Sequence, residues 1–277
     1  MAKAKAATAR HSGAVRRVAA KPLKKGTRAK ARSPRKSGAS KKTDKTAQAP
    51  IELYYWPTSN GYKISIMLEE CRLPYVLKPI NINKGEQFAP SFLKIAPNNR
   101  MPAIIDPDGP GGKPISVFES GAILQYLSRK TGKFYPTDER KRVAVDEWLF
   151  WQVGGLGPMT GQANHFLSYA KEPQPYAQKR FSDEVHRLQR VMNTRLEGRK
   201  YLAGDYSIAD IACWGWVLSG AKHHPLDEFP HLIAWKARLD ARPAVQRGFA
   251  LGQELRNTQP TDAKSIDERD KILFGQR

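Results

Sequence analysis

The chain has 277 residues, of which 40% are hydrophobic, so it is long enough for one large or two modest domains. Its formal net charge is +21, but residues 1–50 contain sixteen Lys and Arg against one Asp, so that segment carries +15 and the remainder +6. The two cysteines, Cys71 and Cys213, form no CxxC motif, and no apolar run reaches the ~18 residues of a membrane span. This composition argues against a disulfide framework and a membrane partner, and it predicts a cytoplasmic protein.

Residues 1–50 consist mainly of Ala, Lys, Arg, Ser and Thr. Such a segment cannot bury enough apolar surface to offset its loss of conformational entropy, so we predict a disordered basic tail. It also lacks the apolar core, roughly 7–15 residues long, of a secretory signal. Three interpretations remain open: an arm that binds nucleic acid or another polyanion, an extension without a function of its own, and an organelle presequence.

After the tail, short strands and helices are predicted to alternate in the order β-α-β-α-β-β-α. The predicted elements are a strand at 51–56, a helix at 61–72, a strand at 75–80, a short helix within 88–95, a strand entered from 98–106, a strand at 115–118 and a helix at 119–132. Apolar residues of the first helix, Ile64, Met67, Leu68 and Cys71, have the spacing of one buried face. The turn-forming segment 107-PDGPGGKP-114 predicts a hairpin between the last two strands.

Beyond residue 136 the pattern predicts only helices, at 139–153, 178–197, 207–222 and 231–241. The clearest local signal is 206-YSIADI-211, in which Ser207 and Asp210 have the spacing of a capping box. This motif indicates the start of a helix and carries no chemistry of its own.

Several common sites are excluded by their motifs. The loop 109-GPGGKP-114 lacks the phosphate-binding GxxxxGK[ST] pattern, and 154-GGLGPMTG-161 does not match GxGxxG. The six histidines show no metal-ligand spacing, so we predict no metal site. No GxSxG elbow is present.

Two positive features remain, and each also has a purely structural interpretation. Met101-Pro102 precedes a strand; a cis bond there would let the Met101 backbone pair with an extended peptide, whereas a trans proline would only start the strand. Glu119-Ser120 opens a helix, whose N-terminus favours a carboxylate while Glu119 can accept an ammonium group; a plain helix cap is the alternative. Together the two features describe a site for a ligand with a backbone amide, a carboxylate and an amine.

Residues 51–257 resemble a glutathione S-transferase, and the resemblance narrows to the bacterial nu class. It is carried by the segments 57-PTSNGYKI-64, 84-KGEQF-88, 96-APNNRMPAI-104, 118-FESGAILQYL-127, 149-LFWQVGGLGPMTGQ-162 and 208-IADIACWGW-216. The resemblance implies an α/β thioredoxin-like glutathione-binding domain at 51–135 and an all-α domain at 139–257. This glutathione S-transferase architecture would be preceded by the tail at 1–50 and followed by a C-terminal extension at 258–277.

The resemblance also implies glutathione as co-substrate and assigns roles by position. Glu119 and Ser120 would hold the γ-glutamyl amine and carboxylate, and the backbone at Met101–Pro102 would pair with the cysteinyl amide. Gln87 lies where the family contacts the tripeptide. Arg180, in 175-PYAQKRF-181, matches an arginine that reaches over the glutathione site.

For the sulfur end, the resemblance implies that Thr58 and Asn60 hold the glutathione thiolate, where other classes place a catalytic serine or cysteine. We therefore expect glutathione-dependent disulfide reduction without a protein cysteine, with Cys71 and Cys213 structural. Tyr55 is the alternative sulfur ligand, because some classes place a catalytic tyrosine at the end of the first strand.

Two rival functions remain at this point. One is a transferase that conjugates glutathione to electrophilic small molecules, and the other is a non-catalytic binding or regulatory protein whose tail binds nucleic acid. The expected partners are glutathione, a small disulfide or electrophile, and a second copy in a homodimer.

Overall fold

The computed structural model describes residues 49–256 and 263–275, so nearly all of the predicted tail lies outside the described residues. The first part of the fold is the predicted β-α-β-α-β-β-α unit. Its elements are β1 (Ile51–Tyr55), α1 (Ser59–Cys71), β2 (Tyr75–Pro79), α2 (Pro90–Leu93), β3 (Ala103–Asp106), β4 (Ile115–Phe118) and α3 (Ser120–Thr131). Each predicted strand and helix of this unit is therefore confirmed, with ends that differ by a few residues.

The described strands form a mixed sheet in the order β2-β1-β3-β4. β1 pairs with β2 in parallel, whereas β1–β3 and β3–β4 are antiparallel. The parallel pair requires the α1 crossover, and the β3–β4 hairpin closes through the turn-rich loop. This topology confirms the predicted thioredoxin-like fold.

Local hydrogen bonds and backbone conformation set the two ends of helix α1. At its start the Thr58 Oγ1 accepts a hydrogen bond from the Gly61 N–H at 3.3 Å. At its end Arg72 takes a left-handed conformation with φ 57°, and its N–H returns to the last carbonyls. The predicted apolar face is confirmed, since Ile64, Met67, Leu68 and Cys71 are all buried.

The second part of the fold is helical, as predicted. Its elements are α4 (Glu139–Trp151), α5 (Gly157–Asn164), α6 (Pro175–Leu196), α7 (Ile208–Gly220), α8 (Pro230–Asp240), α9 (Pro243–Ala250), α10 (Gln253–Arg256) and α11 (Ala263–Phe274). π-helical turns at Gln152–Leu156 and His165–Tyr169 flank α5. The capping box of α7 is confirmed, with the Asp210 carboxylate accepting the Ser207 N–H at 3.0 Å. Helices α5, α9, α10 and α11 were not predicted from the pattern.

Helix α1 joins the two parts, because it packs against α3 on one side and against α7 and α9 on the other. At the α9 crossing the Ser65 hydroxyl donates to the Gly248 carbonyl at 2.7 Å. A Cβ at Gly248 would lie 2.6 Å from the Ile66 backbone nitrogen, so only glycine permits this approach. The middle of α1 is thereby held at the boundary between the sheet domain and the helical domain. Within the described ranges no helix is long and apolar enough to cross a membrane.

Candidate functional site

A cavity of about 580 Å³ opens at the N-terminal end of α1. The start of α1 supplies Thr58 and Asn60 to its wall, and α7 supplies Trp216. The helical domain adds Lys222, and α11 contributes Arg269. Because this wall combines a helix N-terminus, an amide, a hydroxyl and cationic side chains, it suits a polar, anionic ligand.

Asn60 is held by helix α7, and Thr58 by the first turn of α1 and by the segment before β3. The Asn60 Oδ1 accepts a hydrogen bond from the Trp216 indole Nε1 at 3.1 Å. The Thr58 Oγ1 accepts the Gly61 N–H, and its own hydroxyl donates weakly to the Met101 Sδ at 3.8 Å. Met101 lies two residues before β3, so the structure brings three of the predicted site residues, Thr58, Asn60 and Met101, close together.

The N-terminus of α3 forms a second polar centre. Glu119 is exposed and adopts φ 70°, ψ 115°, an unusual conformation for a residue with a side chain. Ser120 is buried, and its Oγ accepts a hydrogen bond from the Lys63 Nζ at 3.1 Å. The backbone N–H groups of the first turn of α3 remain available for a ligand carboxylate.

Lys63 is a buried cation on α1, with only 2% of its surface exposed. No carboxylate in the described part of the chain lies within ion-pairing distance of its Nζ. Burial lowers the pKa of Lys63 to about 7, against opposing electrostatic contributions from Cys213 and Glu119. A buried lysine behind a helix N-terminus increases the positive potential that a bound carboxylate would meet.

Two other predicted residues have polar groups without partners. The Gln87 amide is buried; its Nε2 donates to the Ile82 carbonyl at 3.2 Å, while its Oε1 has no partner among the described residues. The Met101–Pro102 peptide bond is cis, and the Met101 backbone makes no hydrogen bond within the described part of the chain. Unpaired polar groups of this kind are free to bind a ligand.

The two cysteines and Tyr55 lie away from the cavity wall. Cys71 is 6% exposed and Cys213 is fully buried, and burial raises the pKa of both thiols. The Tyr55 side chain is fully buried, and its hydroxyl donates to the Leu251 carbonyl at 3.1 Å. The predicted burial of Cys71 is therefore confirmed, and Cys213 is buried as well.

Comparison with known proteins decides the family. The sequence profile of the glutathione S-transferase N-terminal domain matches residues 49–129, and that of the C-terminal domain matches residues 159–243. The disulfide-bond oxidoreductase YfcG of Escherichia coli K12 is 48% identical over 218 residues, covering 78% of this chain and 99% of the relative.

The chain belongs to the glutathione S-transferase family.

Two solved glutathione transferases have the same fold. The enzyme from Burkholderia graminis, with two glutathione molecules bound per subunit, is 42% identical with a TM-score of 0.71, covering 74% of this chain and 89% of that one. The enzyme from Pseudomonas putida, with one glutathione disulfide bound per subunit, is 39% identical with a TM-score of 0.71, covering 76% and 94%.

Among the predicted site residues, Thr58 and Asn60 line the cavity, whereas its wall does not include Gln87, Met101, Pro102, Glu119 or Ser120. The remaining predicted residue is Arg180. It lies on α6 with 55% of its side chain exposed, and its guanidinium is 3.7 Å from the Glu184 carboxylate. It is not part of the cavity wall, whereas Lys222 and Arg269 are. Its predicted role over the glutathione site remains a prediction.

The sequence analysis did not predict three further residues of the candidate site: Trp216 and Lys63, which contact predicted site residues, and Arg269, which lines the cavity. Trp216 and Lys63 both occur in the segments that carried the family resemblance, at the end of 208-IADIACWGW-216 and within 57-PTSNGYKI-64. Arg269 lies in the C-terminal extension, for which no role was predicted. The available signal was a charged residue among the apolar residues of α1, which applies to Lys63 and not to Trp216 or Arg269.

Proposed function

We propose that the chain is a glutathione-dependent disulfide-bond oxidoreductase in which the reacting thiol belongs to bound glutathione. The observation that carries the proposal is the contrast between the two kinds of sulfur site. Both protein thiols are buried, whereas the polar start of α1 opens on a cavity large enough for a tripeptide and part of a substrate. A disulfide that enters this cavity meets donors for a thiolate but no protein thiolate.

At the sulfur end, Asn60 and Thr58 stabilise the thiolate. The Asn60 carbonyl oxygen is occupied by Trp216, so its NH₂ group is the part that donates to sulfur. The Thr58 hydroxyl exchanges its weak contact with the Met101 thioether for the anionic sulfur, which is a stronger acceptor. The N-terminal end of α1 adds a favourable electrostatic potential. These contributions lower the pKa of a bound thiol below its usual value of about 8.5.

The remainder of glutathione extends towards α3. The Met101 backbone, held by the Pro102 ring at its carbonyl side, pairs with the cysteinyl amide. The Ser120 Oγ accepts a hydrogen bond from Lys63, so its own O–H donates a hydrogen bond to the γ-glutamyl carboxylate, while Glu119 accepts a hydrogen bond from the ammonium group. Gln87 uses its unpaired Oε1 to accept an N–H of the tripeptide.

The reaction consists of two thiol–disulfide exchanges. The bound glutathione thiolate attacks one sulfur of the substrate disulfide, its S–S bond breaks, and one substrate thiolate leaves as a mixed disulfide forms. A second glutathione thiolate attacks the glutathione sulfur of that mixed disulfide and releases the other substrate thiolate. The products are glutathione disulfide and two substrate thiols, which take up the two protons lost by the glutathione thiols.

The second glutathione carries two carboxylates and needs cations beyond the first tripeptide site. Lys222 and Arg269 line the cavity on the side of the helical domain and supply them, Arg269 by exchanging its Asp270 partner for a glutathione carboxylate. Arg180 contributes in the same way if it exchanges Glu184 for a glutathione carboxylate. The two solved relatives, one with two glutathione molecules and the other with glutathione disulfide, support this arrangement.

A side-by-side assay of a small disulfide and an aryl halide tests the proposal against the rival conjugating transferase. With glutathione in excess, we expect disulfide reduction to exceed conjugation by at least tenfold in kcat/KM. An enzyme that conjugates the aryl halide efficiently and leaves the disulfide unreduced would show that the proposed activity is wrong.

For location and assembly we propose a cytoplasmic homodimer. Exposed Val143 and Phe150 on α4 support an interface, because residues seven apart lie on one helical face. Sedimentation equilibrium tests this, and a single-chain mass at micromolar concentration would contradict it. A nucleic-acid role for residues 1–50 is tested separately by salt-dependent DNA binding of the full chain against a chain that lacks them.

A further inference from the structure

Trp216 fixes which way the Asn60 amide faces. The indole N–H can only donate a hydrogen bond, and it lies 3.1 Å from the Asn60 Oδ1. The amide must therefore present its carbonyl oxygen to Trp216 and its NH₂ group to the other side. That NH₂ group makes no hydrogen bond with the described part of the chain, and Asn60 lines the cavity.

The position of Trp216 is itself set by close contacts between helices. At the preceding residue, a Cβ on Gly215 would lie 3.1 Å from the Ser59 carbonyl oxygen, so α7 approaches the start of α1 almost at backbone contact. The Ser59 hydroxyl donates to the Gly215 carbonyl at 2.9 Å, which fixes the register of the two helices. The Trp216 N–H consequently reaches Asn60 without freedom to slide along α1.

The indole ring is seated on glycines of α5. A Cβ on Gly157 would lie 3.3 Å from the Trp216 ring, and one on Gly161 would lie 3.7 Å from it. The ring therefore fills the space that larger side chains on α5 would occupy. Helices α5 and α7 of the helical domain, together with α1, thus determine the direction of one amide group in the sheet domain.

We propose that Trp216 is a positioning residue that holds the Asn60 NH₂ group toward the glutathione sulfur. The inference rests on the proposed function. Without the indole N–H, the amide can rotate and present its carbonyl oxygen to the thiolate, an arrangement that repels the anion. Trp216 thereby makes thiolate stabilisation dependent on correct docking of α7 against α1.

The test is Trp216→Phe, with Trp214→Phe as the matched control. Trp214 lies on the same helix and also donates its indole N–H, to the Asp240 Oδ1 at 2.8 Å, so its replacement reports the general effect of removing such a donor from α7. The pKa of the bound glutathione thiol is followed by thiolate absorbance, and kcat/KM for a small disulfide is measured across pH.

We expect Trp216→Phe to raise the pKa of bound glutathione by about half to one unit and to lower kcat/KM at pH 7 about 3- to 10-fold, the effect of one hydrogen bond. The dissociation constant for glutathione should change less than about twofold, because the substitution does not alter the N-terminus of α3, where the γ-glutamyl carboxylate is proposed to bind. Trp214→Phe should leave the thiol pKa unchanged.

A double variant separates positioning from a general structural role. If Trp216 acts through the amide, Trp216→Phe has no further effect on the thiol pKa in an Asn60→Ala background. The inference would be overturned if the effects of Trp216→Phe and Asn60→Ala on the thiol pKa were additive. It would also be overturned if Trp216→Phe behaved like Trp214→Phe. Either result would leave the proposed function intact. If the wild-type protein binds no glutathione, the proposed function is wrong and the inference falls with it.

Discussion

The two polar centres of the site differ in how they are supported. At the sulfur end, Asn60 is held by Trp216, a residue 156 positions away in the helical domain. At the α3 end, Ser120 is held by Lys63, which lies 57 positions away on α1 of the same sheet domain. The sulfur end therefore depends on how the two domains dock, whereas the α3 end is organised within the sheet domain.

The chemistry of the two supports differs as well. Trp216 is a neutral hydrogen-bond donor, and it determines the direction in which the Asn60 amide points. Lys63 is a buried lysine with a pKa of about 7 and without a close carboxylate in the described part of the chain, so in its protonated form it raises the electrostatic potential at the α3 end. We infer that changes at the sulfur end alter thiol ionisation and turnover, while changes at the α3 end alter affinity for glutathione.

The largest expected effects come from Asn60→Ala and Ser120→Ala, which remove the two supported groups. A hydrogen bond to a charged group contributes about 1.5–3 kcal/mol. Each variant should therefore change one measured quantity, either kcat/KM or the dissociation constant for glutathione, by roughly 10- to 100-fold. Asn60→Ala should lower kcat/KM for the disulfide and raise the pKa of bound glutathione, with little change in its dissociation constant. Ser120→Ala should raise the dissociation constant and leave the thiol pKa near the wild-type value.

Titration calorimetry and the pH profile of turnover measure the two parameters separately. If both variants change both parameters to the same degree, the separation between the two ends is wrong.

A smaller effect is expected from Lys63→Met, which keeps the length of the side chain and removes its charge. In the folded wild type the pKa of Lys63 is about 7, whereas in the unfolded chain it has its ordinary value of 10.5. Between these two pH values the unfolded chain therefore binds more protons than the folded chain. The free energy of unfolding from this group therefore increases as pH rises from about 7 to 10.5. Lys63→Met should remove that increase and weaken glutathione binding several-fold.

Urea unfolding at pH 7 and pH 9 measures the change. The control is Lys78→Met, because Lys78 is about half-exposed beside Glu52 at 3.9 Å. An unchanged difference in stability between the two pH values in Lys63→Met would contradict the assigned role of the buried charge.

The sequence predicted the sheet domain almost completely, because its strands and helices end at strong local signals. Thr58 caps α1, Gly132 ends α3, and the 107–114 segment forms a turn by its composition. These signals lie within a few residues of the elements they delimit, so they can be found without knowledge of tertiary contacts.

The helical domain was harder to predict because its glycines serve packing. The segment 154-GGLGPMTG-161 has the composition of a loop, yet it forms a π-helical turn and α5. Gly157 and Gly161 accommodate Trp216, a contact that no local pattern contains. The support of Asn60 was missed for the same reason, whereas the predicted ligand contacts followed from family resemblance and remain to be tested.

The smallest effect on activity is expected from replacing Cys71 and Cys213 together by alanine. Burial raises the pKa of both thiols, so both are protonated at neutral pH and neither is a nucleophile. Disulfide reduction should stay within about twofold of wild type, while the cavities left behind cost about 1–2 kcal/mol of stability in thermal unfolding. Cys213 is the more informative of the two, because it lies near Lys63 and its loss tests whether the α3 end tolerates a change in packing. A folded double variant without turnover would mean that a protein thiol takes part in the reaction. The distinction between the sulfur end and the α3 end would then no longer describe the chemistry.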